Sequence, residues 1–130
     1  METGIVKLTP ELLEIISGSG SNSALEAFRQ EIFLLNVIVA GTSYCESIEE
    51  IAPRLAEGTL LKMIRDPHNK YDKRAIGIYF EAKRIGWVPA RMNEVVSHLM
   101  DAGKALFARV RSVEKVGQWI EISADIFMID

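Results

Sequence analysis

The stretches "ALFARVRSV" (105–113) and "QWIEISADIF" (118–127) alternate apolar and polar residues on either side of "EKVG". A period of two sends successive side chains to opposite faces of a strand, so this pattern admits a half-buried β-hairpin and excludes a helix. It predicts a long hairpin with its turn at "EKVG" and with Leu106, Ala108, Val110, Ile120, Ile122 and Ala124 facing a core. Four further runs extend the pattern. "IFLLNVIVAG" is β-branched enough for a buried strand, and "TLLKMIRD" is a second that stops at Pro67. "AIGIYF" and "RIGWVP" read as strands joined through "EAK". The connections are too short for crossovers, so the sheet is expected to be mostly antiparallel. About six short strands with hairpins indicate a mainly β fold, a small β-barrel of the OB-like or SH3-like kind.

Helices are few. "MNEVVSHLMDAG" carries Met92, Val95, Val96, Leu99 and Met100 at helical spacing, and Gly103 stands where a C′ glycine belongs. In "SIEEIAPRLAEG", Ser47 and Glu50 have capping-box spacing, and Pro53 limits the helix to about two turns. These are the one or two core helices. Thr9 and Pro10 read as the start of a helix over "PELLEIIS", followed by a flexible "GSGSNS" and further helical turns in "ALEAFRQ". Residues 1–30 therefore form a helical appendage, and residues 31–130 form the barrel domain.

The 130 residues suit one core, and 48% apolar with 25% charged is ordinary for a soluble globular protein. The most apolar run is about half the length of a membrane span and contains Asn36, and the N-terminus lacks the pattern of a secretory signal. No membrane role is expected. The one cysteine, Cys45, can form no internal disulfide, which fits a cytoplasmic location. The net charge of −3 is unevenly spread. Residues 62–115 hold twelve of the fifteen Lys and Arg and six of the eighteen Asp and Glu, a surplus of +6, against −9 elsewhere. A basic middle on an acidic frame makes a local basic patch unless folding intermixes the charges.

No catalytic constellation is legible. His98 falls between core and solvent positions of its helix, where a structural role is favoured, and Cys45 has no partner at zinc-ligand spacing. "DAGKAL" fails as a phosphate loop, because His98 stands where the first glycine belongs and Ala105 replaces the Ser or Thr. Asp66 and Asp72 could hold a metal only with a third ligand that the sequence does not offer. No enzyme activity, metal or cofactor is expected.

The stretch "RDPHNKYDKRAIGIYF" (65–80) is the unusual one. A turn needs Pro, Asn and Asp, but it does not need Tyr71 beside Lys70, Lys73 and Arg74. "LLKMIRDPHNKYDKRAIGIYF", then "RIGWVP", then a helix ending "LMDAGKAL", together with "VAGTSYCES" upstream, resembles the HIRAN domain family over residues 34–127. That resemblance implies a compact β-barrel with two helices, related to OB folds. In eukaryotes the domain is fused to a DNA-remodelling ATPase and captures the 3′-hydroxyl end of single-stranded DNA. It also implies roles for residues. Tyr71 and Tyr44 match stacking tyrosines, Asp72 matches the acid that accepts the terminal hydroxyl, and Asn69 matches a polar contact beside it. Trp119 falls near a further aromatic. Arg65, Lys73, Arg74 and Arg91 are candidates for phosphate contacts. This chain departs from the eukaryotic pattern at Ser43 (an Arg there), Trp87 (a His) and Lys70 (a Pro). Some family descriptions add zinc binding and acid-anhydride hydrolysis, for which no residues are present here.

Each of these residues also has a structural reading. Asp72 and Asn69 are common turn residues. Tyr44 and Tyr71 can pack on the barrel wall. Trp87 is expected in the core, as are Met92 and Met100. Trp119 is out of phase with Ile120 and Ile122, so it should face away from their core, where the N-terminal appendage can cover it. Arg65 can pair with Asp66 or Glu81. The functional expectation is a module that binds single-stranded DNA at its 3′ end, in repair or processing, without catalysis. The alternative is a module that docks a helicase or nuclease, and the third is a metal-dependent nuclease or hydrolase.

Overall fold

A computed structural model of the protein describes residues 30–130. The expected helices of "PELLEIIS" and "ALEAFRQ", and the break between them, lie outside the described residues. Six strands form one antiparallel sheet: β1 (Glu31–Ile38), β2 (Leu60–Arg65), β3 (Ile76–Phe80), β4 (Lys83–Trp87), β5 (Ala105–Val116) and β6 (Trp119–Ile129). Their order is β1-β6-β5-β2-β3-β4. The two edges meet at Ala40 and Trp87, which exchange N–H···O bonds of 2.8 Å in both directions. That seam curls the sheet into the expected barrel, and closure removes an edge that would otherwise invite other strands. Gly86 permits it. A Cβ there would lie 2.5 Å from Ala40 O and from Val39 Cγ1.

The inward face is apolar throughout. Leu61, Ile76, Ile78, Ile85, Ile122 and Ile126 are fully buried, each contributing about 1.5–3 kcal/mol by leaving water. Ala108, Val110, Ile120, Ile122 and Ala124 face this core as the alternation requires, and Leu106 is half-buried against it. The two helices are α1 (Ile48–Ile51), which runs into a 3-10 turn at Ala52–Arg54 around Pro53, and α2 (Glu94–Asp101). α2 ends on Gly103 at φ 94°. Lys104 N donates to Leu99 O and Gly103 N to Met100 O, both at 3.0 Å. These bonds satisfy the carbonyls that a helix end leaves open.

Four details differ from the sequence expectations. The β5–β6 turn is not "EKVG". Glu114, Lys115 and Val116 stay in the ladder, and the chain reverses over Gly117 and Gln118, with Gly117 at φ 64°. A two-residue turn with positive φ follows the twist of the strands, which a longer turn would splay. Ser47 starts α1, but its side chain caps nothing. The helix is four residues long, and its first amides are closed by backbone carbonyls of Cys45 and Ser47. Val95 is 67% exposed, while Val96 and Ser97 are buried. In so short a helix only one narrow stripe meets the barrel, and Val95 lies about 100° from Val96 around the axis.

The fourth difference concerns Trp87, which is half-buried rather than in the core. Ile85 and Trp87 share a parity, and a regular strand would send both inward. β4 instead carries a bulge: Gly77 pairs with Trp87 and Ile78 with Gly86, but Tyr79 pairs with Arg84. Ile85 is the extra residue. The bulge leaves Ile85 buried and turns Trp87 to the outer face.

Candidate nucleic-acid interface

A rim of the barrel forms around the Ala40–Trp87 seam, where the C-terminal end of β1 and the N-terminal end of β6 meet the C-terminal ends of β2 and β4 and the N-terminal end of β3. The loop 66–75 hangs from β2 and β3, with Asp66 N donating to Ala75 O at 2.9 Å across its base. Val88 N donates to Ile76 O, and Trp87 bonds Ala40, one residue before the turn of Gly41 to Tyr44. Thr42 Oγ1 in that turn donates to Ile120 O at 2.8 Å, next to Trp119. The rim thus carries Tyr71, Asp72, Trp87, Tyr44 and Trp119.

Tyr44 is 88% exposed and Tyr71 85%, the highest values among the large apolar residues described, and Trp119 is 41% exposed. None of the three is covered by the barrel wall. Lys70 Nζ sits 5.3 Å from the Tyr71 ring centroid. The Arg84 guanidinium lies 4.4 Å over the Trp87 ring, a cation–π contact that holds the indole outward. Gly41, at φ 76°, sits where a Cβ would touch both Trp87 Cδ1 at 3.3 Å and Tyr44 Cδ2 at 3.7 Å. Its lack of a side chain lets the two rings approach each other.

The loop is held by its own polar atoms. Asn69 Oδ1 accepts from Tyr71 N at 2.9 Å and Asp72 N at 3.1 Å, and Asn69 Nδ2 donates to Asp66 Oδ2 at 3.2 Å. Asp72 Oδ1 accepts from Arg74 N at 2.9 Å. Asp72 Oδ2 accepts from Asn93 Nδ2, also at 2.9 Å. Those two bonds, the Arg74 amide first, hold the Asp72 carboxyl below the usual carboxylate range against the opposing effect of burial, and the charges of Arg74 and Arg65 add smaller pulls in the same direction as the bonds. It is ionised at neutral pH, and each oxygen has one protein donor and room for another.

Asn93 was not singled out by the sequence. It is 1% exposed and sits at the start of α2, where Asn reads as an ordinary N-cap. Its side chain makes no cap bond and goes to Asp72 instead. Arg65 is paired neither with Asp66 nor with Glu81. Its Nε and Nη2 donate to Asp101 at 2.8 and 3.2 Å, and its Nη1 donates to Ala75 O at 2.8 Å. The bidentate pair raises the Arg65 pKa and lowers that of Asp101. It ties the end of α2 to the base of the loop. The polar atoms of Arg65 and Asn69, both expected to touch a ligand, are thus already engaged within the protein. Lys73 is exposed in the loop, and Arg91 lines a groove between α2 and β1 with Leu34, Met92 and Val95. Arg74 is 3.9 Å from Glu94.

Among the described residues, no cluster of three or more His, Cys, Asp and Glu could hold a metal ion. No helix among them is long and apolar enough to cross a membrane.

Two solved structures share this architecture. A protein from Lactobacillus plantarum superposes with a TM-score of 0.72 at 22% identity, covering 78% of this chain and 98% of its own. The HIRAN domain of human HLTF superposes with a TM-score of 0.58 at 16% identity, covering 76% and 78%. At such identities both speak to the fold alone. No curated protein matches the sequence. The HIRAN domain family model matches residues 32–128, nearly the whole described barrel. This chain belongs to the HIRAN domain family, a family of nucleic-acid-binding modules.

Proposed function

We propose that the protein binds single-stranded DNA at its 3′-hydroxyl end, as a non-catalytic module in DNA repair or processing. One observation carries the reading: two almost fully exposed tyrosines share a rim with a fixed, ionised carboxylate that has acceptor capacity left. Tyr44 and Tyr71 stack the terminal bases, a contact worth ~1–3 kcal/mol per base. Trp87 and Trp119 extend the aromatic surface around them. Asp72 accepts the hydrogen bond of the terminal hydroxyl. Lys73 and Arg91 meet phosphates, while Asn69, Asn93 and Arg65 keep the loop in shape.

The test is a titration of labelled single strands with free, blocked and recessed 3′ ends. Tight binding to the free end, with loss on blocking or recessing it, is the expected result. Equal binding to all three would overturn end capture. Absence of binding to any of them would favour the alternative of a surface that docks a helicase or nuclease.

A further inference from the structure

The outer wall of the barrel carries a second feature, which the end site does not use. The strand registers align one residue from each strand into a lateral row. Phe33 pairs with Phe127, Phe127 with Phe107, Phe107 with Lys62, Lys62 with Tyr79, and Tyr79 with Arg84. All six point away from the core. The rings of Phe33 and Phe127 meet edge to face at 5.8 Å, and those of Phe107 and Phe127 stack at 5.4 Å. Phe33 is 52% exposed, and Lys62 and Arg84 are exposed. Phe33 lies near the start of β1, and an exposed aromatic cluster of this kind marks an interaction surface.

The row has a direction and a charge. At about 4.8 Å between neighbouring strands it spans roughly 24 Å around the wall. At one end it joins the rim. Tyr79 and Arg84 both fold over Gly77, where a Cβ would lie 2.9 Å from Tyr79 Cε1 and 3.3 Å from Arg84 Cδ, and Arg84 continues onto Trp87. Arg109 and Arg111 flank the row, paired with Glu31 and Asp125 respectively. With Lys62 and Arg84, four cations therefore face two carboxylates along it. Aromatic rings interleaved with a surplus of cations match a strand of stacked bases with a charged backbone.

We infer that this row is a track for the nucleotides upstream of the captured end, so that the strand leaves the rim over Arg84 and Tyr79 and runs toward Phe33. The inference rests on the end-binding reading of the rim and extends it to a longer single strand. An end-binding site gains no statistical advantage from a longer strand, because each strand has one 3′ end. A gain with length that is lost when the row is altered therefore reports the track.

The experiment titrates oligothymidylates of 4 and 12 nucleotides, each with a 3′-hydroxyl and each with a 3′-phosphate, into wild type, Phe33→Ala and Lys62→Glu. Thermal melts check folding, and sedimentation at the same concentrations checks molar mass. The wild type is expected to bind the 12-mer about tenfold more tightly than the 4-mer, the equivalent of one stacked base. Both variants should bind the 4-mer as wild type does and lose most of the gain with length. Equal binding of the two lengths by wild type, or a gain that survives both substitutions, overturns the track. So does a Phe33→Ala variant whose only change is a lower molar mass, which would make the face a contact between copies. The end-binding reading fails separately, if the 4-mer does not distinguish hydroxyl from phosphate.

Discussion

At the scale of single residues, the site depends on which polar atoms are already engaged. Asn69 and Arg65 have their hydrogen-bonding groups turned inward, while Tyr44 and Tyr71 are almost bare. Tyr71→Ala should therefore weaken single-strand binding by ~1–3 kcal/mol and shift stability by no more than about 0.5 kcal/mol, as for an exposed position. Titration and thermal melting read the two quantities separately. A variant that melts early but binds normally per folded molecule would make Tyr71 a packing residue. Asn93 behaves in the opposite way. It is buried and donates to an ionised group, so Asn93→Ala should cost about 1.5–3 kcal/mol of stability and also slacken Asp72. The pH dependence follows from Asp72 itself. Its folded pKa lies below the ordinary value near 3.9, so its contribution is complete above that value and is lost as pH falls through the lower folded one. The stability difference between wild type and Asp72→Asn should thus shrink on going from pH 7 to pH 3. A difference that stays constant would show that the carboxylate's bonds contribute nothing.

At the scale of elements, the strands were legible through a period of two in β2, β5 and β6 and through apolar, β-branched runs in the others. The points of failure have separate causes. A bulge adds a residue and reverses the phase beyond it, so Trp87, in step with Ile85 by counting, faces outward. The β5–β6 turn was misplaced because charged residues at the tip of a long hairpin look like a loop. Asn93 was hidden because its sequence position fits a helix cap, and only the fold reveals that it serves Asp72. Tyr44, Tyr71 and Asp72 were recognisable through family resemblance, whereas Trp87 and Arg84 required the seam to be seen. Two glycines test this account. Gly86→Ala drives a Cβ into the backbone of Ala40 and should destabilise the barrel by about 1–3 kcal/mol or more, measured by urea denaturation. Gly77→Ala meets only side chains, Tyr79 and Arg84, which can move aside. It should leave the fold nearly as stable and weaken DNA binding by displacing Arg84 from Trp87. If Gly86→Ala is harmless, the Ala40–Trp87 seam does not close the barrel.

At the scale of the whole molecule, an acidic chain binds an anion through a basic minority. Residues 62–115 carry a surplus of +6 within a net charge of −3. Two or three phosphate contacts should give a log–log salt slope of roughly −1.4 to −2.1, at about −0.7 per contact on single strands. A binding curve indifferent to salt would remove the electrostatic part of the model. In such a molecule the carboxylate of Asp72 is an odd choice for a general phosphate groove, since it repels the backbone. It suits a chain end, where a hydroxyl donates to it and a terminal phosphate is refused. Two unit charges ~4 Å apart at an effective dielectric near 20 repel by roughly 4 kcal/mol before screening. The most direct test is the ratio of affinities for one strand carrying a 3′-hydroxyl or a 3′-phosphate, measured on wild type and on Asp72→Asn. Wild type should prefer the hydroxyl end clearly, and Asp72→Asn should narrow the gap by tolerating the phosphate. Equal affinity of wild type for both ends would contradict end capture and leave Asp72 as a residue that only shapes its loop.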